Sequence, residues 1–297
     1  MKAWLAAARL RTLPLALAGI LLGAIPVSGE EFEWNLTFLL CILTAITLQI
    51  LSNFANDYGD TQNGADQFRT NGPERAVQSG AISPQRMKLA IVVTSLLSIG
   101  LGIALLWISL WQQGWTITFF VFLAIGLTSV AAAYYYTAGN KPYGYIGLGD
   151  LSVFVFFGLA AVMGTHFLLY KHFSFTVVLL ATMQGVLSVM VLHLNNMRDF
   201  HDDAKAGKKT MAIRLGWRLS KWYFGVLSFS SMLALALVAI PLHPYLLLLV
   251  GMVSVILLSI FPSIAHSDNV KAIDAQLKKV ALSSFFVAIV LFLKTII

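Results

Sequence analysis

The sequence predicts an all-α fold: a polytopic membrane protein built as a bundle of about nine transmembrane helices. Hydrophobic residues make up 58% of the chain, charged residues make up 11%, and the mean hydropathy is +0.80. These values lie outside the range of soluble proteins. The apolar runs are about 20 residues long, and no alternation over about ten residues indicates the strands of a membrane barrel. The chain is therefore expected to cross the membrane as helices.

Nine windows are long and apolar enough for this, because about 20 residues of helix span roughly 30 Å. We expect a single transmembrane domain over residues 1–297. The first window is expected to remain as a helix and not to be a cleaved signal, because eight more apolar runs follow it. Ser83 and Pro84, an N-cap followed by proline, predict where the third helix begins. The windows lie at 11–28, 36–57, 88–110, 115–136, 150–169, 174–196, 222–241, 244–264 and 279–297.

The distribution of Lys and Arg predicts the orientation, because short loops rich in positive charge stay on the cytoplasmic side. All Lys and Arg residues fall on one side of the predicted helices except Lys171 and Lys294, and Glu30, Glu31 and Glu33 fall on the other side. We therefore expect a cytoplasmic N-terminus and an outward C-terminus in a bacterial inner membrane. The net charge of +7 reflects this asymmetry, and it predicts attraction to anionic membrane lipid. It does not indicate a nucleic-acid partner.

Two acidic clusters, each led by asparagine, stand at the cytoplasmic ends of the second and sixth windows. The first reads NFANDYGD over 53–60, and the second reads NNMRDFHDD over 195–203. Both contain the spacing N-x-x-x-D-x-x-D, which places its members on one helical face. If the two helix ends face each other, the carboxylates line a polar cavity open to the cytoplasm. The polar loops 58–87 and 197–221 favour a functional reading, because loops longer than about 15 residues are usually functional or disordered.

Such a group of carboxylates predicts a divalent metal, because crowded aspartates repel one another without a cation between them. Hard oxygen ligands without Cys or His at ligand spacing indicate Mg²⁺, which binds one or two carboxylates together with substrate phosphate. The only cysteine, Cys41, lies in mid-membrane apolar sequence and excludes an internal disulfide. The candidate metal ligands are Asp57, Asp60, Asp66, Asp199, Asp202 and Asp203.

Basic side chains at the same end suit a diphosphate anchor, because a metal-bridged diphosphate needs both acids and bases around it. For any one of them, the charge bias of cytoplasmic loops is an equally good explanation. Asn53 and Asn195 are also candidates, because an amide in a transmembrane helix is costly unless it forms hydrogen bonds. Hydrogen bonding between helices is the alternative explanation for these two asparagines. The candidate diphosphate-binding residues are Asn53, Arg75, Lys141, Asn195, Arg198, Lys208 and Lys209.

These motifs resemble those of the UbiA superfamily of intramembrane aromatic prenyltransferases. The stretch NNMRDFHDDAKAGKKTMAIRLG, residues 195–216, is similar to the second aspartate motif of that family over its full length. The first motif departs from the common form NDxxDxxxD, because Gly64 replaces the last aspartate and the next one is Asp66. With this difference, the stretch LSNFANDYGDTQNGAD is similar to the first motif of those family members that act on 1,4-dihydroxy-2-naphthoate. So are the segments 9–14, 72–75, 136–139 and 147–150.

The resemblance implies a nine-helix bundle that holds Mg²⁺ and a polyprenyl diphosphate between two aspartate motifs. It implies that Asp57, Asp60, Asp199 and Asp203 are catalytic, because they hold the metal that neutralises the leaving diphosphate as the allylic carbon–oxygen bond ionises. The ring of 1,4-dihydroxy-2-naphthoate then attacks the cation, and CO₂ departs. The product is a demethylmenaquinone, an intermediate of menaquinone biosynthesis.

Three alternatives stay open at this point. The nearest is another aromatic acceptor such as 4-hydroxybenzoate, which no single residue excludes. A cation or metabolite transporter also places carboxylates in membrane helices, but its site usually lies near the membrane midplane, whereas these aspartates cluster at one end. An integral lipid phosphotransferase would need a hydroxyl acceptor and fits less well. Arg11, Gln49 and Lys141 are candidate contacts of the acceptor. Tyr134, Tyr135 and Tyr136 are candidate shields for a carbocation, with a place in an interfacial aromatic belt as the alternative.

Overall fold

The computed structural model describes residues 1–27, 29–68, 70, 75–111, 114–239, 244–265 and 270–293. Within these residues every regular element is helical. Arg69, Lys294 and residues 72–74 of the predicted motifs lie outside them. The long helices are α1 (Lys2–Gly23), α2 (Leu36–Gln62), α3 (Pro84–Leu110), α4 (Ile117–Tyr135), α5 (Gly149–Tyr170), α6 (Phe175–Arg198), α7 (Met211–Ala239), α8 (Pro244–Ala265) and α9 (Val270–Leu293).

The predicted all-α bundle is confirmed for the described residues. Eight of the long helices are apolar enough and long enough to cross a membrane; the apolar part of α8, Val250–Ala265, is shorter. Local sequence fixes several helix starts by satisfying free backbone N–H groups. The Asn35 side chain accepts the N–H of Phe38 at 2.9 Å where α2 begins. Ser83 accepts the N–H of Arg86, with Pro84 in the first turn, at the predicted start of α3.

Several helices are longer than the apolar windows that predicted them. Helix α7 begins at Met211 and α9 begins at Val270, and residues 200–205 form a short helix between α6 and α7. The loop expected over 197–221 is therefore largely helical. Helix α1 begins at Lys2 but breaks at Arg9, whose φ of 48° is left-handed, before resuming at Leu13.

Helix α6 is central and packs against α5, α7 and α9. Glycines allow close approach between α5 and α6, as small residues do in membrane bundles. A Cβ added to Gly158 would lie 2.6 Å from the carbonyl oxygen of Ala181, and one added to Gly185 would lie 2.7 Å from the ring of Phe154. This packing holds α6 in place and so fixes the position of the acidic cluster at its end.

Candidate active site

The two acidic clusters meet at one end of the bundle. The ammonium of Lys208 lies 3.1 Å from Asp60 Oδ1 and 3.0 Å from Asp203 Oδ1. Thr70, in the loop after α2, donates its backbone N–H to Asp202 at 2.8 Å. These contacts link the end of α2 and its loop to the segment that follows α6. The helix ends therefore face each other, which is the condition that the hypothesis of a carboxylate-lined cavity requires.

Asp60 lies at the centre of this cluster and is 4% exposed. Besides Lys208, its carboxylate accepts hydrogen bonds from Arg75 Nη2 at 2.7 Å and from the Tyr145 hydroxyl at 2.8 Å. The Lys208 ammonium also lies over the Tyr145 ring, 4.7 Å from its centroid. Sequence reasoning missed Tyr145, because a tyrosine in a loop has no spacing that relates it to an aspartate 85 residues away.

Arg75 is buried and only partly paired. Its Nη2 bonds Asp60, and its Nε lies 3.7 Å from Asp66 Oδ1. Among the described residues, Nε and Nη1 have no hydrogen-bond partner. A buried donor without an acceptor costs about 1–3 kcal/mol, and the planar guanidinium matches the oxygens of a phosphate group. The geometry therefore suits an anion that bonds the free edge of Arg75.

The electrostatics of the cluster favour cations between the carboxylates. Burial raises the pKa of the Asp203 carboxyl to about 6; Lys208 opposes this rise, and the carboxylates of Asp199 and Asp60 add to it. Burial alone would lower the pKa of the Lys208 ammonium, but the charges of Asp60 and Asp203 outweigh it and the pKa lies above its usual range. Lys208 thus stays positively charged between two carboxylates.

Asp57 holds the backbone of the loop after α2. Its carboxylate is 1% exposed and accepts the N–H groups of Ala76 and Val77, each at 3.0 Å. Because these two residues directly follow Arg75, the bonds to Asp57 determine where the guanidinium lies. Asp66, which faces Arg75, also accepts the Thr61 hydroxyl at 2.7 Å.

The second motif forms a separate ion-pair cluster beside the first. Arg198 donates from Nε and Nη2 to the two oxygens of Asp199, both at 2.7 Å, in the bidentate geometry that strengthens such pairs. The same guanidinium bonds Asn195 Oδ1 at 2.8 Å and Asp274 of α9 at 3.0 Å. Arg198 therefore ties the end of α6 to α9, while Asp203 faces Lys208.

Three predicted diphosphate residues lie elsewhere in the structure. The Asn53 amide donates to the carbonyl of Ala8 at 2.9 Å and to the Thr12 hydroxyl at 3.0 Å, so it braces the break in α1. This contact corresponds to the helix-pairing alternative. Lys141 and Lys209 are exposed, and within the described residues neither forms an ion pair with a carboxylate.

The carboxylates of the site fit a metal ion that binds together with a diphosphate substrate. In the part of the chain that the structure describes, no three Asp, Glu, His or Cys side chains come together as a ready cage. Asp60 and Asp203 nevertheless lie on either side of one cationic position, which the Lys208 ammonium takes. Mg²⁺ commonly binds one or two carboxylates and completes its shell with water and substrate phosphates. Two carboxylates are therefore sufficient.

The helical bundle and its buried cluster of acids and bases define a multi-pass membrane enzyme that transfers a group. The chain belongs to the UbiA prenyltransferase family, whose model matches residues 13–290. The 1,4-dihydroxy-2-naphthoate octaprenyltransferase of Haemophilus influenzae is 44% identical, over 76% of this chain and 73% of that protein. The enzyme of the same name from Escherichia coli is 43% identical, over 80% of this chain and 76% of that protein.

Solved structures support the fold. A UbiA homolog from Archaeoglobus fulgidus bound to GPP and Mg²⁺ matches with a TM-score of 0.62 and 14% identity, over 97% of this chain and 99% of that one. The apo structure of a UbiA homolog from Aeropyrum pernix K1 matches with a TM-score of 0.65 and 15% identity, over 95% and 94% of the two chains. At such low identity the likeness shows the fold alone.

Proposed function

We propose that this protein transfers a polyprenyl group from a polyprenyl diphosphate to 1,4-dihydroxy-2-naphthoate, with release of CO₂ and diphosphate, to give the reduced, quinol form of a demethylmenaquinone. The acceptor is supported by relatives that are 37–44% identical and share the name 1,4-dihydroxy-2-naphthoate octaprenyltransferase. The observation that carries the reaction class is the buried meeting of Asp60, Asp203, Arg75 and Lys208. It combines cations for a diphosphate with carboxylates for a metal.

In this proposal, Arg75 and Lys208 bind the diphosphate. Arg75 offers N–H groups that have no partner among the described residues, and its position is set by the bonds between Asp57 and the following backbone. Lys208 moves from the two carboxylates toward the substrate oxygens when a metal takes its place. Both side chains are buried or nearly so, which strengthens their attraction to charge developing on the leaving group.

We further propose that Mg²⁺ is held chiefly by Asp60 and Asp203, the carboxylates that share a cation. When bound, the metal neutralises the departing diphosphate. Asp66 lies across the Arg75 guanidinium from Asp60, and Asp199 is paired with Arg198. Asp57 and Asp202 hold the loops around the centre. Asn195 and Arg198 keep Asp199 in place. Lys141 and Lys209 are assigned to the entrance of the site, where exposed basic residues attract an anionic substrate.

The surroundings of the site complete the proposal. We propose that the prenyl chain binds against the apolar helices below the carboxylates, where water is kept from the allylic cation. We propose that residues 1–297 form one domain in a bacterial inner membrane, in contact with membrane lipid, with the acidic clusters and the N-terminus on the cytoplasmic side. This orientation follows from the distribution of Lys and Arg.

The test uses purified protein in detergent with octaprenyl diphosphate and carboxyl-labelled 1,4-dihydroxy-2-naphthoate. We expect labelled CO₂ and prenylated product in equal amounts in the presence of Mg²⁺, and neither product after chelation with EDTA. A parallel reaction with 4-hydroxybenzoate should give no prenylated product. Prenylation of 4-hydroxybenzoate in preference to the naphthoate would refute the proposed acceptor, and full activity in EDTA would refute the proposed metal.

A further inference from the structure

Asp150 is a buried carboxylate that the diphosphate cluster does not use. It is the second residue of α5 and is 6% exposed. Among the described residues its side chain has one hydrogen bond, from the Tyr223 hydroxyl to Oδ2 at 3.0 Å, and no cation pairs with it. A buried charge at a membrane edge is costly without a partner, and such residues usually serve function.

This carboxylate lies next to the diphosphate cluster, with Tyr136 between them. A Cβ added to Gly149 would lie 2.8 Å from the Tyr136 hydroxyl, which places that hydroxyl beside the start of α5. On its other side, Tyr136 packs against the turn 143–146: a Cβ added to Gly144 would lie 3.1 Å from the Tyr136 ring, and the next residue, Tyr145, donates its hydroxyl to Asp60 at 2.8 Å. Burial raises the pKa of Tyr136, and the charge of Asp150 adds to the rise. Its hydroxyl has no hydrogen bond to the described residues.

Two pairs of aromatic rings lie near Asp150: Tyr223, which bonds its carboxylate, packs against His193, and Tyr136, whose hydroxyl lies beside Gly149, packs against Tyr143. The rings of Tyr136 and Tyr143 meet edge to face, with centroids 5.4 Å apart, and those of His193 and Tyr223 do the same at 4.8 Å. Perpendicular rings present both faces and edges, against which a planar aromatic molecule packs well. The combination is a carboxylate with one oxygen that has no hydrogen bond to the described residues, a tyrosine hydroxyl and aromatic surfaces, separated by Tyr136 from the turn whose Tyr145 bonds Asp60.

We propose that Asp150 binds a ring hydroxyl of the aromatic acceptor and accepts its proton, while Tyr223 positions the carboxylate. This inference rests on the proposed function and specifies its acceptor site. The ligand class is an aromatic acid with a hydroxyl next to the carbon that carries the carboxylate. Such a hydroxyl is present in 1,4-dihydroxy-2-naphthoate, at the ring carbon next to the one that carries the carboxylate.

In the proposed reaction, Asp150 accepts the proton of the ring hydroxyl and returns it at the end. As Asp150 takes the hydroxyl proton, the ring carbon next to that oxygen forms a bond to the allylic carbon, whose bond to diphosphate breaks with its electron pair leaving on the diphosphate. The attacked carbon then carries both the prenyl group and the carboxylate, beside a ring carbonyl. The bond to the carboxylate breaks, CO₂ leaves, and the electron pair returns through the ring to the carbonyl oxygen. That oxygen takes the proton back from Asp150.

The decisive variant is Asp150→Asn, because the amide keeps the shape and can still accept the bond from Tyr223 but cannot take a proton. Removal of a positioned base typically costs about 100- to 10,000-fold in rate. We expect kcat for the naphthoate to fall at least about 100-fold while KM for octaprenyl diphosphate changes less than about twofold. Tyr223→Phe keeps the carboxylate and should mainly raise KM for the naphthoate.

The matched control is Glu31→Gln, the same change of an exposed carboxylate at the opposite end of the bundle, which should behave as wild type. Asp150→Asn with naphthoate turnover within about threefold of wild type would overturn the inference and leave the proposed function intact. If Asp150→Asn fails to fold, Tyr223→Phe still tests the inference. A KM for the naphthoate equal to that of wild type in Tyr223→Phe would also overturn it. Failure of the wild-type protein to prenylate the naphthoate would overturn the proposed function and this inference together.

Discussion

At the scale of single residues, the carboxylates of the site divide into two kinds. Asp57 and Asp202 accept backbone N–H groups and hold loops, whereas Asp60 and Asp203 face a shared ammonium. The spacing of the motifs predicts that these residues gather at one end, but it does not predict which partner each oxygen takes. Partners depend on the path of the loops, and the sequence pattern carries no information about that path.

The first prediction concerns the guanidinium of Arg75, which we propose binds the diphosphate. Its Nε and Nη1 are buried without partners among the described residues, so a diphosphate that bonds them gains two charge-assisted hydrogen bonds. Arg75→Lys keeps the charge but loses the planar fork. At about 1.5–3 kcal/mol for a hydrogen bond to a charged group, we expect kcat/KM for octaprenyl diphosphate to fall about 10- to 100-fold. Steady-state kinetics with varied octaprenyl diphosphate measures this loss.

Arg86→Lys is the matched control for Arg75→Lys. Arg86 is exposed in the first turn of α3, and its side chain forms no ion pair with the described carboxylates. We expect its kinetics to equal those of wild type. Equal losses in both variants would mean that the effect comes from general charge and not from the buried guanidinium, and the assignment of Arg75 to the diphosphate would be withdrawn.

The sequence also cannot separate neighbouring lysines. Lys208 and Lys209 are equivalent in any count of charge, yet the first bridges Asp60 and Asp203 and the second is exposed. The backbone N–H of Lys209 bonds the carbonyl of Tyr145 at 2.7 Å, and this contact orients the segment. Only the packing of the 143–146 turn against residues 208–209 decides which lysine points inward.

At the scale of elements, apolar windows located every long helix but not its ends. Helix α7 begins at Met211, eleven residues before its window at 222, because a hydropathy window detects only the membrane section. The helical segment that precedes this section is interrupted at Gly216, whose φ of 74° and ψ of 166° are not helical, so α7 has a kink there. The start of α3 was predicted well, because Ser83 and Pro84 carry a local capping signal.

Gly59 gives a prediction for how α2 packs against its neighbours. It lies between Asp57 and Asp60, and a Cβ there would lie 2.5 Å from the carbonyl oxygen of Thr137. Backbone cannot yield as a flexible side chain can, so Gly59→Ala should push the segment after α4 away from the site. We expect a loss of about 1–3 kcal/mol in stability and a larger loss of activity. Thermal unfolding in detergent and product formation measure the two effects.

Gly100→Ala serves as the control for this packing argument. Gly100 lies within α3, and a Cβ there would meet no heavy atom within 4 Å. Because alanine favours helix over glycine by about 1 kcal/mol, this variant should unfold at the same temperature as wild type or higher. If Gly59→Ala were as stable and active as Gly100→Ala, the close approach of α2 to Thr137 would not be needed for the site.

At the scale of the whole molecule, charge and aromatic residues mark two different ends. The acidic clusters and most basic residues lie at the end where α2 and α6 finish. Trp107, Trp111 and Trp115 lie at the other end; the first two stack with centroids 3.9 Å apart, as expected for an interfacial aromatic belt. Composition and the length of the apolar runs predicted this architecture, because a chain that must satisfy its backbone in lipid has few choices besides helices and closed barrels.

The proposed orientation makes the last prediction, which tests the whole bundle with two single cysteines. Cys41 is 3% exposed, so the native chain should not react with a membrane-impermeant maleimide. Glu33→Cys, at the end opposite the aspartates, should be labelled in intact spheroplasts, because that end faces outward. Lys205→Cys, in the short helix beside Asp203, should be labelled only after the membrane is permeabilised. The reverse pattern would place the carboxylates outside the cell, where the distribution of Lys and Arg does not allow them.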